Sequence, residues 1–194
     1  MNRKTSCITD EQFDTIIDIL ENGSEYGVIK PNKEIALILT VTGNCGLRIG
    51  DCLNLKLKSF IKEGSDYKYN IKEDKTGKSR TFVIPNEIYK MLETFANING
   101  LSFNDNLFRY TERNIQKKLK QVREYLGEDY KDVSTHSFRK CSAMRIYRAS
   151  GNNIELTRRF LNHSSIAVTQ KYLGVSDEEV NEVIKNSVHI RKGA

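Results

Sequence analysis

The sequence predicts an α+β fold, mainly α-helical, with a small antiparallel β-sheet or hairpin. Apolar residues recur at helical spacing along most of the chain, and several of these segments open on a capping residue. Between Asp66 and Pro85 the period changes to strict alternation around a turn signal. The chain has 194 residues without internal repeats or low-complexity tracts, enough for one large domain whose core needs no disulfides.

In chain order, TDEQFDTIIDILE reads as the first helix. Thr9 is placed as its N-cap, Gln12 completes a capping box, and Phe13, Ile16, Ile17 and Leu20 form one apolar stripe. GSEYGVIKP breaks the pattern, and NKEIALILTVTG, almost wholly apolar, predicts a buried helix in spite of its branched residues. In CGLRIGDCLNLKLKSF, Leu47, Ile49, Leu53, Leu55 and Leu57 surround Arg48 and Asp51 with apolar neighbours. YKYNIKE and SRTFVIP alternate like strands, with DKTGK as the turn between them. NEIYKMLETFANI returns to helix, with Ile88, Met91, Leu92 and Phe95 on one face. TERNIQKKLKQVREYLG is amphipathic and carries Arg113, Lys117, Lys118, Lys120 and Arg123. THSFRKCSAMRIYRASG, NIELTRRFLNH and SIAVTQKYLG follow as helices of decreasing length. The last segment, SDEEVNEVIKN, has Ser176 as N-cap, Glu179 at the third helical position and three consecutive acids suited to a helix N-terminus.

The net charge of +6 is modest, but it is concentrated. Between Lys131 and Tyr172 there are eight basic residues and two acidic ones, Asp132 and Glu155, a net charge equal to that of the entire chain. Such a field suits a polyanionic partner. Cys7, Cys45, Cys52 and Cys141 have neither a zinc-finger nor a dithiol spacing, and Cys52 and Cys141 fall in apolar stretches that predict buried thiols. The N-terminus lacks the apolar segment of a signal peptide and no apolar run reaches membrane-spanning length, so a cytoplasmic location without membrane association is expected.

Several residues suit phosphate chemistry. His136 and Arg139 lie three apart on one helix, and an arginine fork can bind two phosphate oxygens. Arg48 is a second candidate for that duty, and Lys75, in the DKTGK turn, can reach a ligand and donate a proton. Tyr172 can attack phosphorus if its phenol, with an ordinary pKa of about 10, is helped by positive neighbours and by a histidine that takes the proton. Singly, each has an ordinary structural reading. Arg48 can pair with Asp51, Lys75 can decorate a turn, and His136 or His163 can cap a helix. Tyr172 can be a core ring with a hydrated hydroxyl.

Taken in order, these segments resemble the catalytic domain of the tyrosine recombinases, the phage-integrase family. TGNCGLRIGDCLNLK is similar to the segment bearing the family's first catalytic arginine, here Arg48. DKTGKSRTFVIP resembles the hairpin with the catalytic lysine, here Lys75. THSFRK resembles the histidine-any-any-arginine box, here His136 and Arg139, and LNHSSIAVTQKYLG the box pairing a histidine with the nucleophile, here His163 and Tyr172. The likeness runs over about residues 9–186, and all six positions are filled, which implies an active enzyme. Asp51 stands where many members have glutamate, where a carboxylate would brace the hydrogen bonds of the site. Asn162 replaces a commoner glycine.

The resemblance implies the following chemistry and partners. Arg48, Arg139 and His163 hold a scissile phosphate, and Tyr172 attacks it to form a 3′-phosphotyrosyl link. Lys75 protonates the departing 5′ oxygen, and His136 serves as acid or base. No metal or nucleotide cofactor is implied. The partner is double-stranded DNA with a specific recombination site, and the protein is a homo-tetramer on DNA and a monomer when free. Residues 1–174 are expected to form the catalytic domain and residues 175–194 a tail whose helix packs on a neighbouring subunit. Most relatives carry a separate helical DNA-clamping domain ahead of the catalytic one, and none is expected in this chain. It reads as a shortened or a naturally short member, whose DNA binding is modest and strongly salt-dependent. Two other functions remain open on the same fold, a type IB topoisomerase that reseals its own strand and a non-catalytic DNA-binding regulator. A metal-dependent nuclease would want clustered carboxylates, which the sequence does not show.

Overall fold

The computed structural model describes residues 7–72, 77, 79–174 and 185. Among them the order is α1 (Asp10–Asn22), α2 (Lys33–Cys45), α3 (Ile49–Leu53), β1 (Phe60–Glu63), β2 (Asp66–Lys72), β3 (Ser79–Ile84), α4 (Asn86–Ile98), α5 (Glu112–Leu126), α6 (Thr135–Ala149), α7 (Ile154–Leu161) and α8 (Ile166–Leu173). No helix of the described residues is long and apolar enough to cross a membrane.

The capping box expected at α1 is present: Thr9 Oγ1 accepts from the Gln12 amide and Gln12 Oε1 from the Thr9 amide. α2 begins at Asn32, whose side chain accepts from the Ile35 amide, and ends at Gly46 in the left-handed region. Ile35–Leu39, Val41–Gly43 and Cys45 of α2 are buried, which makes it the central helix, with α1, α3, α4 and α6 packed around it. Gly43 permits the approach of α1, because a Cβ there would lie 2.4 Å from the Phe13 ring.

The sheet has the order β1-β2-β3, antiparallel throughout, with Phe60 opposite Tyr69 and Tyr67 opposite Ile84. The expected β2–β3 hairpin is present; β1, four residues long, is an addition to it. Phe60, Tyr69 and Ile84 face the core, where the Phe60 and Tyr69 rings lie 4.6 Å apart and the Tyr67 ring stacks on Tyr89 of α4 at 3.6 Å. Ile61 and Val83, both opposite Lys68, lie on the solvent face. The buried stripe of α4 is Ile88, Tyr89, Leu92 and Ala96. Met91, expected on that face, is exposed; it is three residues from Ile88, but the stripe centres one position further on.

One large apolar core joins α1 to α6 and the inner face of the sheet. A separate cluster of Ala143, Leu161 and Leu173 holds α6, α7 and α8 together, with Met144, Tyr147, Ile154, Phe160 and Tyr172 packed on it. Phe138 of α6 is fully buried in the large core, its ring 5.4 Å from Phe13. Replacing Phe138 with alanine is expected to cost about 3–5 kcal/mol of stability. Denaturant unfolding followed by circular dichroism measures this.

Candidate active site

α6 opens where Ser137 Oγ accepts from the Ser134 amide, and it carries His136 and Arg139 in its first turns. Arg139 is 3 % exposed. Its Nη1 donates to the Gly46 carbonyl at 2.6 Å and its Nη2 to the Leu161 carbonyl at 2.7 Å. Those carbonyls belong to the C-terminal ends of α2 and α7, where helical carbonyls lack partners within the helix and the dipole is negative. Gly46 is required twice over: its φ is +58°, and a Cβ there would lie 2.5 Å from the Phe160 ring. His136, on the same helix, is exposed, so its position three residues before Arg139 does not give the two side chains the same surroundings.

Arg48 precedes the first turn of α3 with extended backbone, and its Nη1 lies 3.8 Å from Oδ2 of Asp51. Asp51 is 2 % exposed and its place in the first turn suits a negative charge. The carboxylate braces Arg48 from the inner side, while the arginine side chain remains about a fifth exposed, at 22 %.

The α7–α8 segment is shaped by polar groups. Asn153 caps α7, Asn162 ends it in the left-handed region at φ +54°, and Ser165 caps α8. Glu155 accepts from Arg158 Nε and Nη2 at 2.7 Å each and from Arg159 Nε at 2.9 Å. These hydrogen bonds, those from Arg158 foremost, pull its carboxyl down to about 2. Arg158 Nη1 also donates to the His163 carbonyl at 2.8 Å. The His163 ring meets Thr169 Oγ1 through Nδ1 at 3.1 Å.

Tyr172, in the last turn of α8, lays its ring on the small cluster, 5.3 Å from the His163 ring and nearly perpendicular to it at 83°. Its hydroxyl donates to the His136 carbonyl at 3.5 Å. Burial pushes the phenol up to about 12, while the Arg139 guanidinium, by its charge and a hydrogen bond, and Arg48, by its charge, pull the other way. The helping field anticipated from the basic residues is present, and burial outweighs it.

The fold therefore brings Arg48, His136, Arg139, His163 and Tyr172 to one place from three separate stretches of chain. Lys75 and the tail helix lie outside the described residues. Beside His136 a cleft of about 800 Å³ opens, lined by Arg113, Lys117, Lys120 and Arg123 of α5. Lys118, grouped with them by sequence, instead donates to the Lys30 carbonyl at 2.6 Å, and its partial burial lowers its pKa. Sequence reasoning missed Glu155, Arg158 and Thr169. The i, i+3 and i+4 spacing of Glu155 to Arg158 and Arg159 was a usable signal; a threonine in a polar helix gave none.

A sequence model of the phage integrase family matches residues 6–179. The tyrosine recombinase XerC of Leptospira interrogans is 29 % identical over 181 residues, covering 89 % of this chain and 55 % of that protein. The probable integrase/recombinase YoeC of Bacillus subtilis is 26 % identical over 165 residues, covering 81 % of this chain and 87 % of that one. Among solved structures, the XerH site-specific recombinase in a post-cleavage complex with palindromic difH substrate has a TM-score of 0.70 at 18 % identity, over 95 % of this chain and 54 % of that chain. The catalytic domain of bacteriophage HP1 integrase has a TM-score of 0.61 at 18 % identity, over 95 % and 96 % of the two chains. The structural likenesses show a shared fold, and the chain spans about half the length of the XerC relative.

Arg139→Lys is expected to lower stability by about 1–3 kcal/mol, because one ammonium cannot reproduce the fork between the Gly46 and Leu161 carbonyls; urea unfolding reads the loss. Tyr172 should ionise near pH 12 in the ultraviolet difference titration of the wild-type protein against Tyr172→Phe. The folded state binds this proton more tightly than the unfolded state, so the contribution of Tyr172 to stability is present below pH about 10 and lost as the pH rises towards 12. The phenylalanine variant should lack that alkaline loss in unfolding experiments.

Proposed function

This chain belongs to the phage integrase family, and we propose that it cleaves and rejoins DNA at specific sites through a 3′-phosphotyrosyl intermediate. The observation that carries this reading is a phenol set beside the Arg139 guanidinium and within the field of Arg48. The Tyr172 hydroxyl is acted on by Arg139 and Arg48 together, with His163 at its ring edge and the His136 carbonyl at its oxygen.

In this reading Arg48, Arg139 and His163 hold the scissile phosphate, and charge developing on its oxygens meets fixed positive groups. The Tyr172 oxygen forms a bond to phosphorus as the bond to the 5′ oxygen breaks. Lys75 supplies the proton to that leaving oxygen, and His136 acts as acid or base beside it. The 5′ hydroxyl of a partner strand then attacks the phosphotyrosyl link, displacing Tyr172 and restoring a phosphodiester, so neither metal nor nucleotide cofactor is consumed. The cleft along α5 supplies Arg113, Lys117, Lys120 and Arg123 for backbone phosphates of double-stranded DNA. Residues 1–174 serve as the catalytic domain. Residues 175–194 pack on a neighbouring subunit of a tetramer that assembles on DNA from free monomers.

Incubation with a nicked suicide duplex carrying the recombination site, or a scan of nicked duplexes from DNA flanking the gene, tests this. A covalent protein–DNA adduct should form in the presence of a chelator. Tyr172→Phe should abolish it, a loss beyond about 1000-fold, while binding to the same duplex stays within a few-fold of wild type. An adduct formed equally by Tyr172→Phe would overturn the assignment.

A further inference from the structure

His163 is held at its backbone and at its ring. Its amide donates to the Arg158 carbonyl at 3.0 Å, and its carbonyl accepts from Arg158 Nη1 at 2.8 Å, so both of its main-chain polar groups are fixed to one residue of α7. The ring meets Thr169, which is fully buried, its hydroxyl shielded from competing water. Thr169 Oγ1 also lies 3.4 Å from the Ser165 carbonyl, four residues earlier in α8, the usual acceptor for a threonine hydroxyl within a helix. A hydroxyl has one proton. If it goes to the Ser165 carbonyl, the oxygen meets the imidazole as an acceptor, and the ring nitrogen facing it must carry hydrogen.

We propose that Thr169 is a positioning residue: its buried hydroxyl donates to the Ser165 carbonyl, accepts from Nδ1–H of His163, and so fixes both the tautomer and the rotation of that imidazole. With Nδ1–H committed to Thr169, Nε2 of the neutral ring is an acceptor that can take a proton, and it donates to a substrate phosphate once the ring has become an imidazolium. Thr169 and Tyr172 are three residues apart on α8, so one helix carries both the hydroxyl that orients the imidazole and the phenol that the imidazole faces. Any movement of α8 moves the two together, and the register between His163 and Tyr172 is kept. The Glu155–Arg158 pair sets the backbone from which the imidazole hangs, and Thr169 sets the ring.

The inference rests on the reading of His163 as a phosphate-holding group, and its test separates the two. Nitrogen-15 imidazole spectra of the wild-type protein, with His163 assigned by the loss of its signals in His163→Gln, report the tautomer without DNA. A single neutral Nδ1–H form is expected, and the Nε2–H form or a rapidly averaged mixture would overturn the proposal. Single-turnover adduct formation on the suicide duplex is then compared for Thr169→Val, which keeps the shape and removes the hydroxyl, and Thr169→Ser, which keeps the hydroxyl. The valine variant should form adduct about 10- to 100-fold more slowly, the equivalent of one hydrogen bond to a group that becomes charged, with DNA affinity unchanged. Serine should restore the rate. A valine variant that cleaves at the wild-type rate, or a serine variant as slow as valine, sinks the role of Thr169 and leaves the proposed activity standing. A wild-type protein that forms no adduct sinks the activity itself, while the spectra still decide the hydrogen bond. The spectra need no substitution at Thr169, so they also decide the matter if the valine variant fails to fold.

Discussion

The guanidinium of Arg139, buried between the carbonyl ends of two helices, is the constraint on which the site depends. A buried cation without partners would be strongly unfavourable, and so would the unpaired carbonyls of Gly46 and Leu161. Each removes the other's penalty. The consequence is geometric: α2, the central helix of the large core, α6, and α7, which leads to the segment bearing Tyr172, are fixed to one planar group. The fork is rigid, so the placement of the α7 C-terminus against α2 and α6 is set by side-chain chemistry as well as by apolar packing.

This matters because the apolar packing beneath the site is slight. α7 and α8 have eight residues each, too short to persist alone in water. Among the described residues, the cluster beneath them has Ala143, Leu161 and Leu173 as its buried members. Order comes instead from the cap at each helix start, from Asn162 and Gly174 in left-handed conformation at the ends, and from Glu155 gathering two arginines. A region built this way can open locally at lower free energy than the main core, which suits the proposed reaction, in which this segment offers Tyr172 to a phosphate.

Whether the sequence revealed an element depended on whether its signal was local. Thr9 with Gln12, the apolar run of α2, and the alternation on either side of DKTGK each depend on residues close in sequence, and the structure has them as expected. β1 escaped notice because four residues with one buried side chain show no period. Met91 was misplaced because a stripe read at spacing of three and four is uncertain by one position at its edge. At the site, local chemistry marked the candidate positions as suited to phosphate, and it was the likeness of ordered boxes that joined the six into one set. The inward turn of Arg139 depends on carbonyls 93 and 22 residues away, and the turn of Lys118 on a carbonyl 88 residues away. A sequence window cannot contain such partners. Thr169 was invisible for a related reason: its burial comes from the packing of α8 on α6 and α7, while its own neighbours in sequence are mostly exposed.

The acidity of Tyr172 shows how these levels combine. The ring has to lie on the small cluster for α8 to hold its place, and that burial raises the phenol's pKa. The same packing brings its oxygen to Arg139 and within the field of Arg48, which lower it. In the proposed reaction those two cations also attract the phosphate, and a phosphate that draws their charge weakens their hold on a phenolate. The arginines cannot serve fully as activators of the nucleophile and as the cradle of its target at the same moment. Bond formation to phosphorus and loss of the phenolic proton are therefore coupled, and the proton needs an acceptor that is not an arginine. Imidazole is the side chain whose ordinary pKa suits that duty near neutrality. His163 lies at the edge of the phenol, and His136, an exposed residue, presents its carbonyl to the phenol oxygen. The value of fixing an imidazole by its backbone and by one ring nitrogen is then plain: a ring free to rotate would offer the proton an acceptor only part of the time.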